Sequence, residues 1–142
     1  MYRGEMQRLE GVWIGTERVS DVAVPYEASA RIVFQTVFDG RFLLCDYVQT
    51  APDRPTSVAH GVFRMDDRTN AFTVTWFRSP VATTTQQADA VSEGDSLVFL
   101  ETIDGRMTRT TYSVVLDKLS IRTDCAKGDD WERILDGTYR RR

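Results

Sequence analysis

Hydrophobic and polar positions alternate over most of this chain, and the alternation breaks at steady intervals on Gly, Asp, Ser and Pro. Period-two alternation turns one side of a strand to a core and the other to solvent. Short alternating runs between turn signals therefore predict an all-β sandwich or barrel. Ten such runs fall at about 11–19, 29–38, 42–50, 58–66, 71–78, 81–89, 96–103, 106–116, 118–125 and 131–140. Only the beginning departs from this pattern: Tyr2, Met6 and Leu9 stand at i, i+4 and i+7, the stripe of a short helix ending near Gly11. Asp39-Gly40 and Asp104-Gly105 are the strongest turn signals, since an Asp-Gly pair accepts the two positive φ angles of a type I′ hairpin. Asp66, Asp67 and Asn70 lack the spacing of a calcium loop and read as turn formers.

Short connections favour antiparallel neighbours in chain order, and closing the sheet removes the exposed edges it would otherwise leave. The expectation is one domain over residues 1–142, a ten-stranded antiparallel up-and-down β-barrel with a short N-terminal helix. An even strand count brings the last strand back to the end where the first begins. Gly11-Val12-Trp13 and Tyr139-Arg140-Arg141 would then be neighbours. In that arrangement Trp13 stoppers one end, and the guanidinium of Arg140 or Arg141 lies on its indole face. Gly11 would let the helix or backbone approach closely. The longer connections, 20–29 and 50–57, share the opposite end and predict a mouth there. Val22, Val24, Pro25 and Tyr26 give the first of them the apolar character of a lid or of a loop packed on the barrel top.

Alternation also assigns faces. Phe72, Val74 and Trp76 should point inward, as should Leu119, Ile121, Thr123 and Cys125. Glu101 shares a side with Leu97 and Phe99, and Tyr112 with Val114. The third and fourth strands carry apolar residues on both faces and leave their orientation open. Trp76, Glu101 and Tyr112, with Arg78 near the mouth, are the candidate ligand-binding residues, because aromatic walls with a few fixed polar groups make small-molecule sites. The single histidine, His60, is a further candidate on a strand of undecided face, although a structural or surface role is the preferred reading for it.

Composition narrows the picture. Sixteen Thr, 15 Val and 15 aromatic residues suit strands. A net charge of −3 leaves no electrostatic footprint for nucleic acid, and the Arg140-Arg141-Arg142 run reads as a solvated tail. No apolar run reaches the length of a membrane span, and MYRGEMQRLEG lacks the apolar segment of a signal peptide, so a cytoplasmic location is expected. Cys45 and Cys125 stand apart, without CxxC or a nearby His, and read as buried thiols rather than metal ligands.

Gly11, Trp13 and Arg140 or Arg141 resemble the pattern of the calycins, the lipocalins and fatty-acid-binding proteins, in which a Gly-x-Trp on the first strand meets an Arg from the last. More of the chain, LEGVWIGTE, FDGRFLLCDY, HGVFRMDDRTNAFTVTWF and TYRR, is similar to an uncharacterised bacterial family of calycin-like domains of unknown function. That resemblance implies the ten-stranded barrel and no catalytic residue. Haem-binding calycin-like barrels use a His near the C-terminus, where this chain has none.

Three functions compete. The first is binding of a small, mostly apolar molecule in the barrel. The second is an interaction or homo-oligomerisation module with a filled interior, using outward residues such as Val12, Ile14, Phe77 or Ile134. The third is an isomerase, cyclase or hydrolase using His60 or Glu101 as acid or base. No Gly-x-Ser-x-Gly, phosphate loop, metal-ligand cluster or nucleophile–base pair is visible, so catalysis ranks last and no cofactor or metal is expected.

Overall fold

The structure, a computed structural model, describes residues 2–20, 22–65, 68, 72–79, 86–93, 96–103 and 105–142. Helix α1 (Tyr2–Leu9) leads directly into β1 (Gly11–Val19). Then follow β2 (Tyr26–Val37), β3 (Phe42–Thr50), β4 (Ser57–Met65), β5 (Phe72–Ser79) and β6 (Gln86–Glu93). The chain ends with β7 (Ser96–Ile103), β8 (Arg106–Val115), β9 (Lys118–Lys127) and β10 (Asp130–Arg141). Each strand pairs antiparallel with its chain neighbours, and β1 pairs with β10 as well as β2, which closes the sheet.

Two elements depart from the alternation pattern by three residues or more. β2 begins at Tyr26 rather than near 29, because Tyr26 to Ala28 already pair with Val19 to Glu17; the connection at this end shortens to 20–25. The sixth strand runs over Gln86–Glu93 rather than 81–89, held by Phe72↔Ala90 on one side and Glu93↔Ser96 on the other. Residues 81–85, Asp66, Asp67, Asn70, Asp104 and the side chain of Tyr2 lie outside the described residues. At Asp39-Gly40 the φ angles are positive as expected, 55° and 79°, and the Arg41 N–H donates to the Phe38 carbonyl at 3.2 Å; but Phe38 is left-handed too, at 51°, and the ladder ends at Val37↔Phe42, so the turn spans residues 38–41 rather than two.

At the seam, Trp13 stands opposite Arg141, Ile14 opposite Arg140 and Gly15 opposite Tyr139. Alternation therefore gives the two arginines different fates. Arg141 lays its guanidinium over Trp13, 4.3 Å from the ring centroid, whereas Arg140 is exposed and takes no part. Arg141 also donates to the Glu10 carbonyl and, at 2.9 Å, to the Arg8 carbonyl, and the Trp13 indole N–H donates to the Leu9 carbonyl at 2.7 Å. These are carbonyls that the end of α1 leaves without intrahelical partners, and a cation there also complements the helix dipole. The Trp–Arg pair is thus the C-terminal cap of the helix as much as a plug. Gly11 makes room for it: its φ is 132°, and a Cβ there would lie 2.7 Å from the Arg141 Nη1. The space is cleared for the guanidinium, not for the helix.

Met6 and Leu9 are buried with Trp13 beneath this end. Above them lies an aromatic core centred on Phe63, whose ring meets Phe34, Trp76, Phe99 and Tyr112 edge-on at 5.3–6.0 Å between centroids.

Candidate functional site

Alternation on the described strands resolves into one set of inward residues. Ile32 and Phe34 come from β2, Cys45 and Tyr47 from β3, and Val74, Trp76 and Arg78 from β5. Phe99 and Glu101 come from β7, and Tyr112, Ile121 and Leu135 from β8, β9 and β10. With Glu17, Ala59, Thr110 and Thr123 they line a half-open cavity of about 180 Å³. Its floor is apolar: Ile32, Phe34, Val74 and Phe99 are at most 3% exposed. Trp76, Arg78, Glu101, Thr110 and Thr123 form a half-exposed upper layer, toward the end bearing the 20–25 and 51–56 connections. The result is amphipathic, with an apolar base and a polar rim.

Trp76, Glu101, Tyr112 and Arg78 therefore meet in one cavity. Trp76 leans across Gly61, its partner on β4, where a Cβ would come within 2.7 Å of the indole. Any side chain at 61 would push the ring into the cavity. The Arg78 guanidinium lies 5.2 Å from the Trp76 ring centroid. Glu101 Oε1 is buried and carries no hydrogen bond. Burial raises the Glu101 carboxyl above its ordinary value, and the nearby Arg78 guanidinium draws it partly back. The Tyr112 phenol is also raised, chiefly by burial.

His60 does not join them. Cys45, Tyr47, Ala59 and Phe63 face inward, so Asp46, Val48, Val58 and His60 face out. On the outer wall the His60 Nδ1 meets Asp46 Oδ1 at 2.7 Å, with the His side chain 43% exposed. The ligand-binding expectation for His60 is corrected by strand parity, and a mechanism shared with Glu101 is excluded because the wall separates them. Val58 and Phe77 are exposed beside it. Ile14 is exposed too, but on β1, with β2, β3 and β4 between it and β5, so Ile14 and Phe77 do not share one continuous face. Val22 and Val24 are exposed rather than packed on the barrel top.

A second polar group in the cavity was missed by the sequence reading. Glu17, 2% exposed, accepts hydrogen bonds from the hydroxyls of Tyr47 and Tyr139 and, at 2.7 Å, from the Gln49 amide. Gln49 also donates to the Tyr47 oxygen at 3.0 Å, so the single Tyr47 proton is directed to the carboxylate. Tyr139 reaches Glu17 by folding back over Gly137, where a Cβ would lie 2.1 Å from its hydroxyl. Burial and the adjacent carboxylate raise both phenols, which stay protonated donors. The available signal was parity: Glu17 shares a face with Trp13 and Gly15. Toward the mouth, the Tyr26 hydroxyl donates to Gln49 at 3.4 Å, and Arg54 stacks on the Tyr26 ring at 3.7 Å.

Among the described residues no three His, Cys, Asp or Glu side chains gather as a metal ion would require, and no helix is long and apolar enough to cross a membrane. No family model and no curated protein sequence matches the chain. Among solved structures the chain is similar to one described as the crystal structure of Rv2717c from M. tuberculosis, at 18% identity and a TM-score of 0.71, covering 99% of this chain and 97% of that one. The likeness, spanning essentially the whole of both chains, shows a shared barrel-like all-β fold.

Proposed function

We propose that the chain is a calycin-like barrel, of the uncharacterised bacterial family its motifs resemble, that binds a small, mostly apolar molecule inside. One observation carries the reading: Glu101, whose Oε1 is buried without a hydrogen bond, lines a cavity shared with Trp76, Tyr112 and Arg78. Barrel interiors that serve only stability are filled, and buried polar atoms in them are paired. The volume sets the size of the guest. A dry apolar cavity of about 150 Å³ holds a benzene molecule, so 180 Å³ suits a single ring or a short branched chain rather than a long acyl tail.

Native mass spectrometry of freshly purified protein, against its denatured mass, tests for a carried molecule. A discrete mass lost on denaturation is the expected result, and its value would identify the guest. Titration with single-ring compounds then locates the site. Trp76→Ala should weaken binding by tenfold or more while the barrel still melts cooperatively; equal affinity in the variant would remove this site.

A further inference from the structure

Within that reading, the geometry points to a guest that carries an ammonium group: a cyclic or aromatic primary amine, ring downward, nitrogen at Glu101. Among the described residues, the charged groups lining the cavity are two carboxylates, Glu17 and Glu101, and one guanidinium, Arg78. Glu17 is already served by three donors, Tyr47, Tyr139 and Gln49. Glu101 Oε1 has none. A bound molecule that completes this set must bring an N–H or O–H to that oxygen, and one that also balances charge must bring a cation. The lining supports the same choice. Trp76 and Tyr112 line the same cavity, and the Trp76 ring already holds one cation, the Arg78 guanidinium 5.2 Å from its centroid. The apolar base of Ile32, Phe34, Val74 and Phe99 takes a ring or alkyl body and gives no further polar contact.

Competing guests fail on one count each. A carboxylate or phosphate would add a third negative charge to Glu17 and Glu101 against the single guanidinium of Arg78. An alcohol satisfies the Glu101 oxygen but leaves the charge unbalanced. A hydrocarbon leaves the oxygen buried and unpaired, at the cost that sites built around a polar contact impose on analogues lacking it.

The test uses benzylamine, benzyl alcohol, toluene and benzoate, probes of one ring size, titrated by calorimetry into wild-type protein and Glu101→Gln at neutral pH. Benzylamine should bind wild-type protein about tenfold or more tighter than benzyl alcohol, toluene more weakly still, and benzoate not measurably. Glu101→Gln should erase the amine preference and keep toluene affinity within about twofold. Toluene or benzyl alcohol binding without an advantage for the amine, or with unchanged benzylamine affinity in Glu101→Gln, overturns the inference and leaves the cavity reading standing. If no probe binds, both fall. Should Glu101→Gln fail to fold, the order of the four probes on wild-type protein decides alone.

Discussion

Replacing Arg141 by Ala removes a group that touches four things at once. The guanidinium stacks on buried Trp13, caps two carbonyls at the end of α1, and meets Asp117 at 3.4 Å. The stacking contributes about 0.5–1 kcal/mol at a partly exposed site. The two carbonyl bonds are at the surface, where water replaces them, so each is worth about 1 kcal/mol. Asp117 is 83% exposed, and its pair adds close to nothing. Together the loss is about 3 kcal/mol, which for a domain of 142 residues lowers Tm by about 10 °C. Urea and thermal melts of Arg141→Ala against Arg140→Ala provide the comparison. Arg140 is one residue away, equally basic and exposed, so its loss should stay within about 0.5 kcal/mol. Arg141→Lys should fall between, since an ammonium keeps charge without the planar fork. Equal melts for the two alanine variants would refute the capping argument.

Other expectations follow from the interior and the outer wall. Glu17→Leu leaves two hydroxyls and an amide without their acceptor and should cost about 3–5 kcal/mol in urea unfolding, with Glu17→Gln costing about 1–3. Glu101 holds its proton longer folded than unfolded, so its contribution to stability is full below the ordinary value of 4.5 and falls as pH rises through the raised native value. Glu101→Gln cannot ionise; it should melt higher than wild type at neutral pH and lose that advantage in acid, and a pH series of Tm values that stays parallel for the two would contradict this. His60→Ala should change stability by less than about 0.5 kcal/mol and leave single-ring probe binding untouched, because the ring lies on the outer wall.

Legibility followed from how local each signal was. Trp76, Glu101 and Tyr112 could be placed inside because each sits in a run with one apolar side. The Trp13–Arg141 pair was within reach because parity and an even strand count are global consequences of a local period; choosing between Arg140 and Arg141 needed the register. β3 and β4 were opaque because Val48 and Val58 lie outside and Gln49 serves Glu17 from within, so polarity does not mark the face. The face of His60 stayed open for the same reason. Glu17 escaped notice because a charged residue in a strand ordinarily marks the solvent side, and its donors come from β3 and β10, strands brought to it only by closure. β6 was displaced because Val81 and the Thr83–Thr85 run read as strand-forming, whereas the ladder is fixed by pairing with β5 and β7.

Every neighbour pair in this sheet is joined by a connection along the chain except β1 with β10. Tyr139 and Glu17, which meet across that seam, are 122 residues apart. Bringing two such ends together carries a loop-closure cost of about 4 kcal/mol, against far less for any hairpin, and contacts so distant in sequence slow folding. The Arg141–Trp13 stack and the Tyr139–Glu17 bond both span this seam, one at the end of its ladder and one across its middle. The side chains that cap the helix and line the cavity are thus also its rivets. A protein that loses them risks opening into a ten-strand ribbon with two raw edges, ready to pair with the next chain it meets.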